Sequence, residues 1–238
     1  QAYPAMIQAI DAATETLGFA SYIFDHCPVG LEFVDAFKRA INRGVEVRVL
    51  VDSTGSRYSW PSIFKALKAS QIPCARFLPF NAIKRPLTLN LHNHRKLLIV
   101  DGRVGFTGGM NIRQGHFING KSKHRVQDFH FSFEDPVVAH FQEVFNDDWF
   151  FSHGEKLCRK KWFPSIEHQA EAFARGISHG PDENLNKLLW VILSACHVAR
   201  KSLIIMSPYF LPDATLISAL CLASMRGVQV DILLPEKI

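Results

Sequence analysis

His92 to Asn111 reads HNHRKLLIVDGRVGFTGGMN, and the rest of the chain is best understood outward from it. From His94 to Val100 the residues alternate as in a strand. His94, Lys96, Leu98 and Val100 share one face, and Arg95, Leu97 and Ile99 the other. An imidazole and an ammonium are therefore expected side by side. Asp101-Gly102 is a two-residue hairpin signal, and Arg103 to Thr107 is the returning strand. Gly108-Gly109 lets the backbone turn tightly and brings Asn111 back towards the strand end. These residues suit attack on a phosphodiester. A neutral imidazole is a competent nucleophile at phosphorus, a lysine two residues on can hold phosphate oxygens, and Asn111 can donate a further hydrogen bond. A cationic clamp of this kind asks for no metal, and no cofactor is expected.

The flanking sequence predicts an α/β domain. Residues 4 to 17 place Met6, Ile7, Ile10, Ala13 and Leu17 near a helical period, and Phe19 to Phe24 reads as a strand. Leu31 to Asn42 is again helical, with Phe33, Ala36, Phe37, Ala40 and Ile41 on one face. Arg43-Gly44 is a stop, and Val45 to Val51 is a β-branched strand. The order recurs late in the chain. A helix ends near Arg200, Ser202 to Tyr209 is a strand, Leu216 to Met225 a helix, and Val228 to Leu234 a strand. INRGVEVRVLV and SMRGVQVDILL align without a gap around Gly44 and Gly227, whereas Phe24 and Phe210 match only if three residues are dropped. This internal repeat predicts a complete first domain over 1–151, a connecting segment over 152–186 rich in Gly and Pro, and the start of a second domain over 187–238.

Composition sets limits on function. With 47% hydrophobic and 21% charged residues and 19 phenylalanines among 238, a phenylalanine-rich packed core is expected rather than a disordered chain. The net charge of +5 suits phosphate, anionic lipid or nucleic acid without selecting among them. The 5 scattered cysteines argue against a disulfide framework or a cysteine zinc site, and fit a reducing compartment. No apolar run approaches the roughly 20 residues that cross a bilayer, and there is no signal-peptide pattern. Because the sequence opens on Gln1, a leader or anchor upstream stays open.

The pattern His94-x-Lys96-(four residues)-Asp101, then Gly108-Gly109-x-Asn111, resembles the signature of the phospholipase D superfamily at every position. SYIFD, RGVEVRVLVDSTGSRYS, NLHNHRK, GFTGGMNI, DFHFSFEDPVV, FNDDWFF and SPYFLPD resemble bacterial cardiolipin synthases across nearly the whole chain. The resemblance implies a phospholipase D-like mixed β-sheet flanked by helices, with the second domain only begun and its motif absent here. It implies a phosphatidyltransferase that makes cardiolipin from two phosphatidylglycerol molecules through a phosphohistidine at His94, with a histidine of a second motif as acid and base. Lys96 and Asp101 would complete the catalytic motif, while Gly109, Asn111, Asp128 and His130 would contact substrate or orient the imidazole. Implied partners are phospholipid, a second phospholipase D half or a homodimer, and the cytoplasmic side of the bacterial inner membrane by peripheral association. Nucleic acid is not expected. The alternatives are a hydrolytic phosphodiesterase or nuclease, or an inactive binding fragment.

Several of these residues have a plainer reading. Asp101 occupies a turn where Asp is favoured for its local backbone bonds. His92 points away from His94, and His116, His124 and His130 have no fixed role, His130 being the one on the face of Asp128. Arg57 and Tyr58 follow a strand end where α/β sheets form sites. Phe77 to Phe80, with Lys84-Arg85, is either packing or a contact with a lipid headgroup region.

Overall fold

The computed structural model describes residues 2–78, 93–117, 125–134, 136–167, 172–178 and 187–235. The first apolar period folds as α1 (Ala2–Ala12), with Tyr3, Met6 and Ile10 buried. It ends earlier than the expected residue 17 because the Asp101 carboxylate captures the amides of Thr14, Glu15 and Thr16 at 2.8–2.9 Å. Those bonds start β1 (Thr16–Ser21) three residues before the expected Phe19. All six of its residues are buried, so the central strand shows no alternation from which its start could be read. Phe24 lies beyond it, in an isolated bridge to Ile112.

α2 (Pro28–Asn42) opens with proline in its first turn, where the missing N–H costs nothing. β2 (Glu46–Asp52), α3 (Ile63–Ala69), β3 (Cys74–Phe77), β4 (Leu97–Val100), β5 (Val104–Gly108), β6 (His130–Phe133) and α4 (Val137–His153) follow among the described residues of the first unit. Its six strands lie in the order β3-β2-β1-β4-β5-β6. β1, β2 and β3 are parallel, while β4, β5 and β6 run antiparallel to their neighbours, so the sheet is mixed. On one face Phe19, Phe24, Phe33 and Phe37 form an aromatic core with α1 and α2. On the other, Phe145 and Trp149 of α4 pack with Leu157 and Trp162.

The chain divides into units Gln1–Gly176 and Ile177–Ile238. The expected boundary at 151 falls inside α4, which stops at Gly154 in the left-handed conformation (φ 82°). The expected connecting segment then begins as part of the first unit. Glu155 accepts from Arg48 at 2.7 Å through both oxygens, and Leu157 and Trp162 are buried.

The second unit holds α5 (Lys187–Val198), β7 (Ser202–Met206), α6 (Ala214–Met225) and β8 (Gln229–Leu233), with β7 and β8 parallel. Its internal geometry repeats that of α1, β1, α2 and β2. Gly44 and Gly227 have φ of 90° and 86°. Val45 N bonds Ala40 O and Val228 N bonds Ala223 O, both at 3.1 Å. The arginine before each glycine turns back to the end of the preceding helix: Arg43 donates to Ile10 O and Arg226 to Cys196 O, both at 2.8 Å. The shared Arg-Gly-Val is thus a helix stop whose arginine also satisfies carbonyls left open at another helix end.

Candidate functional site

The site grows from the entrance to β4. Leu98 and Val100 join the aromatic core, and strand parity turns Lys96 to the same face. Lys96 is buried and His94 exposed. Lys96 Nζ lies 2.9 Å from His94 Nδ1 and donates to the His94 carbonyl at 2.7 Å. The Tyr22 ring flanks both, 4.5 Å from the imidazole and 5.4 Å from the ammonium. Burial brings the Lys96 pKa down to about 8, while the charges of Asp128 and Asp52 favour the ammonium. Burial, and then a hydrogen bond with Tyr58, pushes the Tyr22 hydroxyl up to about 12. Tyr58 therefore reaches the site through Tyr22, and Arg57 is exposed beside it.

Asn111 is buried, and its Oδ1 accepts from Ile23 N at 3.1 Å, which leaves Nδ2 as the end suited to donate to a substrate. Tyr3 donates its hydroxyl to the Asn111 carbonyl. Gly108 and Gly109 do more than turn the chain. A Cβ on Gly108 would stand 2.3 Å from the Phe129 carbonyl, and one on Gly109 would stand 2.3 Å from both carboxylate oxygens of Asp128. The two glycines admit the segment 128–130 onto the site, and Gly109 N bonds Phe129 O at 2.9 Å. Gly108 pairs with His130 across β5 and β6, so His130 lies on the Lys96 face. Its pKa falls to about 4 through burial. His116 is also buried, with its pKa lowered for the same reason.

Asp101 stands at the far end of β4. Its carboxylate bonds three backbone amides and the Thr14 hydroxyl, tying the hairpin to the start of β1. The turn has positive φ at Asp101 (51°) and Gly102 (60°), as a type I′ hairpin requires. His92, His124, Phe80, Lys84 and Arg85 lie outside the described residues. Among the described residues no group of three or more His, Cys, Asp or Glu is placed to hold a metal ion, and no helix is long and apolar enough to cross a membrane.

The sequence profile of the family described as "Cardiolipin synthase, PLD-like domain" matches residues 6–149. The chain belongs to that family. It is similar to cardiolipin synthase 1 of Bacillus anthracis, 29% identical over 100% of this chain and 48% of the relative. A cardiolipin synthase of Listeria innocua is 29% identical over 99% of this chain and 49% of its own length. The chain thus spans about half the length of the curated relatives it matches. Its fold is similar to that of phosphatidylserine synthase from Haemophilus influenzae, with a TM-score of 0.71 and 16% identity over 99% of this chain and 59% of the other.

In this PLD-like domain the motif strand is held by residues that sequence spacing did not single out. Asp52 accepts from Thr54 N at 2.8 Å and Gly55 N at 3.1 Å, and its second oxygen accepts from Asn93 N at 2.9 Å. Asn93 Nδ2 donates to Asp148 at 2.8 Å, and its Oδ1 accepts from Arg95 N at 3.1 Å. Arg95 reaches the same Asp148 carboxylate at 2.6 and 2.7 Å. The residues on either side of His94 are therefore anchored to β2 and α4. Gly55 is needed because a Cβ there would stand 1.7 Å from the Tyr22 carbonyl.

Proposed function

We propose that this domain carries the nucleophilic half of a phosphatidyltransferase that forms cardiolipin from two phosphatidylglycerol molecules. The observation that carries the reading is the buried Lys96 ammonium 2.9 Å from the His94 ring. The names of the curated relatives favour cardiolipin as product.

In the arrangement seen, the ammonium occupies a ring nitrogen of His94. A phosphoryl oxygen that takes over the ammonium's hydrogen bonds frees that nitrogen for attack. The N–P bond forms as the P–O bond to the departing glycerol breaks, and the alkoxide takes a proton from a general acid. The acceptor's hydroxyl then gives its proton to that same group, its oxygen attacks phosphorus, and the N–P bond breaks. Lys96 and Asn111 Nδ2 hold the phosphoryl oxygens as charge develops, and Asp128 orients the imidazole of the partner motif. A nucleophile already bonded to phosphorus cannot serve as the acid, so a second His-x-Lys motif, from a further half or a second copy, faces His94. Asp101 fastens the hairpin. The enzyme works at the cytoplasmic face of a bacterial inner membrane, where its substrate lies.

The test is to incubate full-length enzyme with phosphatidylglycerol labelled at phosphorus, quench, and map the label. An acid-labile, base-stable label on the His94 peptide is expected, absent in His94→Asn. Label that persists in His94→Asn would sink the assignment.

A further inference from the structure

Beside the motif, on the same sheet face, is a cavity of about 360 Å³ lined by Phe106, Met110, Phe117, His116, Asp128 and His130, together with Ser132 and the start of α1. Its size lies within the roughly 300–1,000 Å³ of small-molecule pockets. Strand pairing connects it to the phosphate clamp. β4 and β5 pair Leu97 with Thr107, and β5 and β6 pair Gly108 with His130, so continuing the β4–β5 register by one residue sets Lys96 in line with Gly108 and His130. Gly108 has no side chain to obstruct that row, and even a Cβ there would approach His130 Nδ1 to 2.9 Å.

Of the polar groups at the cavity, Tyr3 and Asp128 bond the protein, and the imidazoles are the ones left open. His116 is 7% exposed and its Nδ1 is buried without a hydrogen-bond partner among the described residues, as are both ring nitrogens of His130. A buried polar group left unpaired is destabilising, so these atoms call for a ligand or water. Burial keeps both imidazoles neutral near pH 7, each with one N–H to donate. A second anion in the cavity would meet Asp128. The fitting ligand is uncharged, accepts hydrogen bonds and carries apolar arms for Phe106, Met110 and Phe117.

In an in-line displacement the attacking and leaving atoms are apical, and the three other oxygens on phosphorus fan out sideways. Two are the non-bridging oxygens held by Lys96 and Asn111. The third bears the part of the lipid that stays on the enzyme. We infer that the cavity receives the glycerol diester of this retained phosphatidyl group, with its ester carbonyls accepting from the His116 and His130 rings. This rests on the phosphatidyltransfer reading, and it separates the retained lipid, held sideways in this domain, from the departing glycerol, which leaves in line and opposite His94.

Calorimetry on this chain with three probes tests it: monomeric dihexanoyl phosphatidylglycerol, its deacylated counterpart glycerophosphoglycerol, and inorganic phosphate. The diester probe is expected to bind at least tenfold tighter than the deacylated one. Ser132→Trp fills the cavity from an exposed position on β6, and His116→Ala removes a donor. Each should erase most of that preference and leave glycerophosphoglycerol unchanged. No preference in the wild type, a preference intact in both variants, or equal loss of both probes overturns the inference. If Lys96→Ala instead leaves phosphate and glycerophosphoglycerol binding untouched, it is the phosphodiester reading that fails.

Discussion

Replacing Asp148 tests how the segment carrying His94 is positioned without touching the proposed nucleophile. The Asp148 side chain is 10% exposed and accepts three bonds, one from Asn93 and two from the Arg95 guanidinium. Asp148→Ala removes all three of these bonds. Breaking a fully buried pair costs about 3–5 kcal/mol, but the Arg95 side chain is 26% exposed and water can reach part of it. A loss of about 2–3 kcal/mol is the expected outcome after that discount. Asp148→Asn keeps an acceptor and loses the charge, so about 1 kcal/mol is expected. Asn93 would still be held at its amide by Asp52, so His94 should shift rather than detach. Misplacement near 1 Å costs roughly 100-fold in rate. Urea unfolding followed by tryptophan fluorescence, to which buried Trp149 and Trp162 report, gives the stability change, and steady-state assays of the full-length enzyme give kcat and KM. The Ala variant should lose kcat with KM nearly unchanged, and the Asn variant should recover much of it. A stability change below about 0.5 kcal/mol for Asp148→Ala, the size typical of neutral surface changes, would refute the reasoning.

Two further outcomes follow from the site. Gly109→Ala places a Cβ 2.3 Å from both Asp128 oxygens, yet Gly109 has no positive φ to lose, so it should displace that carboxylate; kcat should fall about 10- to 100-fold with less than about 1 kcal/mol lost in urea unfolding. Lys96 must be charged to hold phosphate, so kcat/KM should fall on an alkaline limb near pH 8. The Asp128 carboxylate favours the ammonium, so Asp128→Asn should move that limb to lower pH, and an upward move in the pH profile would contradict this electrostatic assignment.

What the sequence revealed follows the range of each interaction. The nearness of His94 and Lys96 is a property of close neighbours and survives folding although β4 begins at Leu97 rather than at the expected His94, and the Asp101-Gly102 turn survives too. Gly108-Gly109 signals only a tight turn in sequence, because the segment that needs the space, 128–130, arrives from about 20 residues away. Asp52 carries a local signal, with Thr54 and Gly55 following as in an Asx turn, but its bond to Asn93 spans 41 residues. Asp148 carries a signal in its position on the helix. It lies on the buried stripe of α4 with Val138, Gln142 and Phe145, and a carboxylate on such a stripe needs a partner. The start of β1 was missed because burial on both faces removes the alternation that marks a strand.

The repeat makes a demand on the second unit. In β1, Thr16, Gly18 and Ala20 turn their backbone groups towards β4, as the Asp101 N to Thr16 O bond of 2.8 Å shows, while Glu15 O faces β2. In β7 the parity is the same. Lys201 O and Ser207 N bond β8, so Leu203 and Ile205 also face β8, and Ser202, Ile204 and Met206 face away. That outward edge corresponds to the edge of β1 that holds β4. In the proposed two-motif enzyme, a second His-x-Lys strand adds there. Ile204→Pro removes one outward N–H and spares the β7–β8 ladder, whereas Ile205→Pro breaks that ladder directly. In this chain alone, amide exchange of β8 should therefore stay slow in Ile204→Pro and quicken in Ile205→Pro. In the full-length enzyme both should lose activity. Full activity with Ile204→Pro would place the second motif elsewhere.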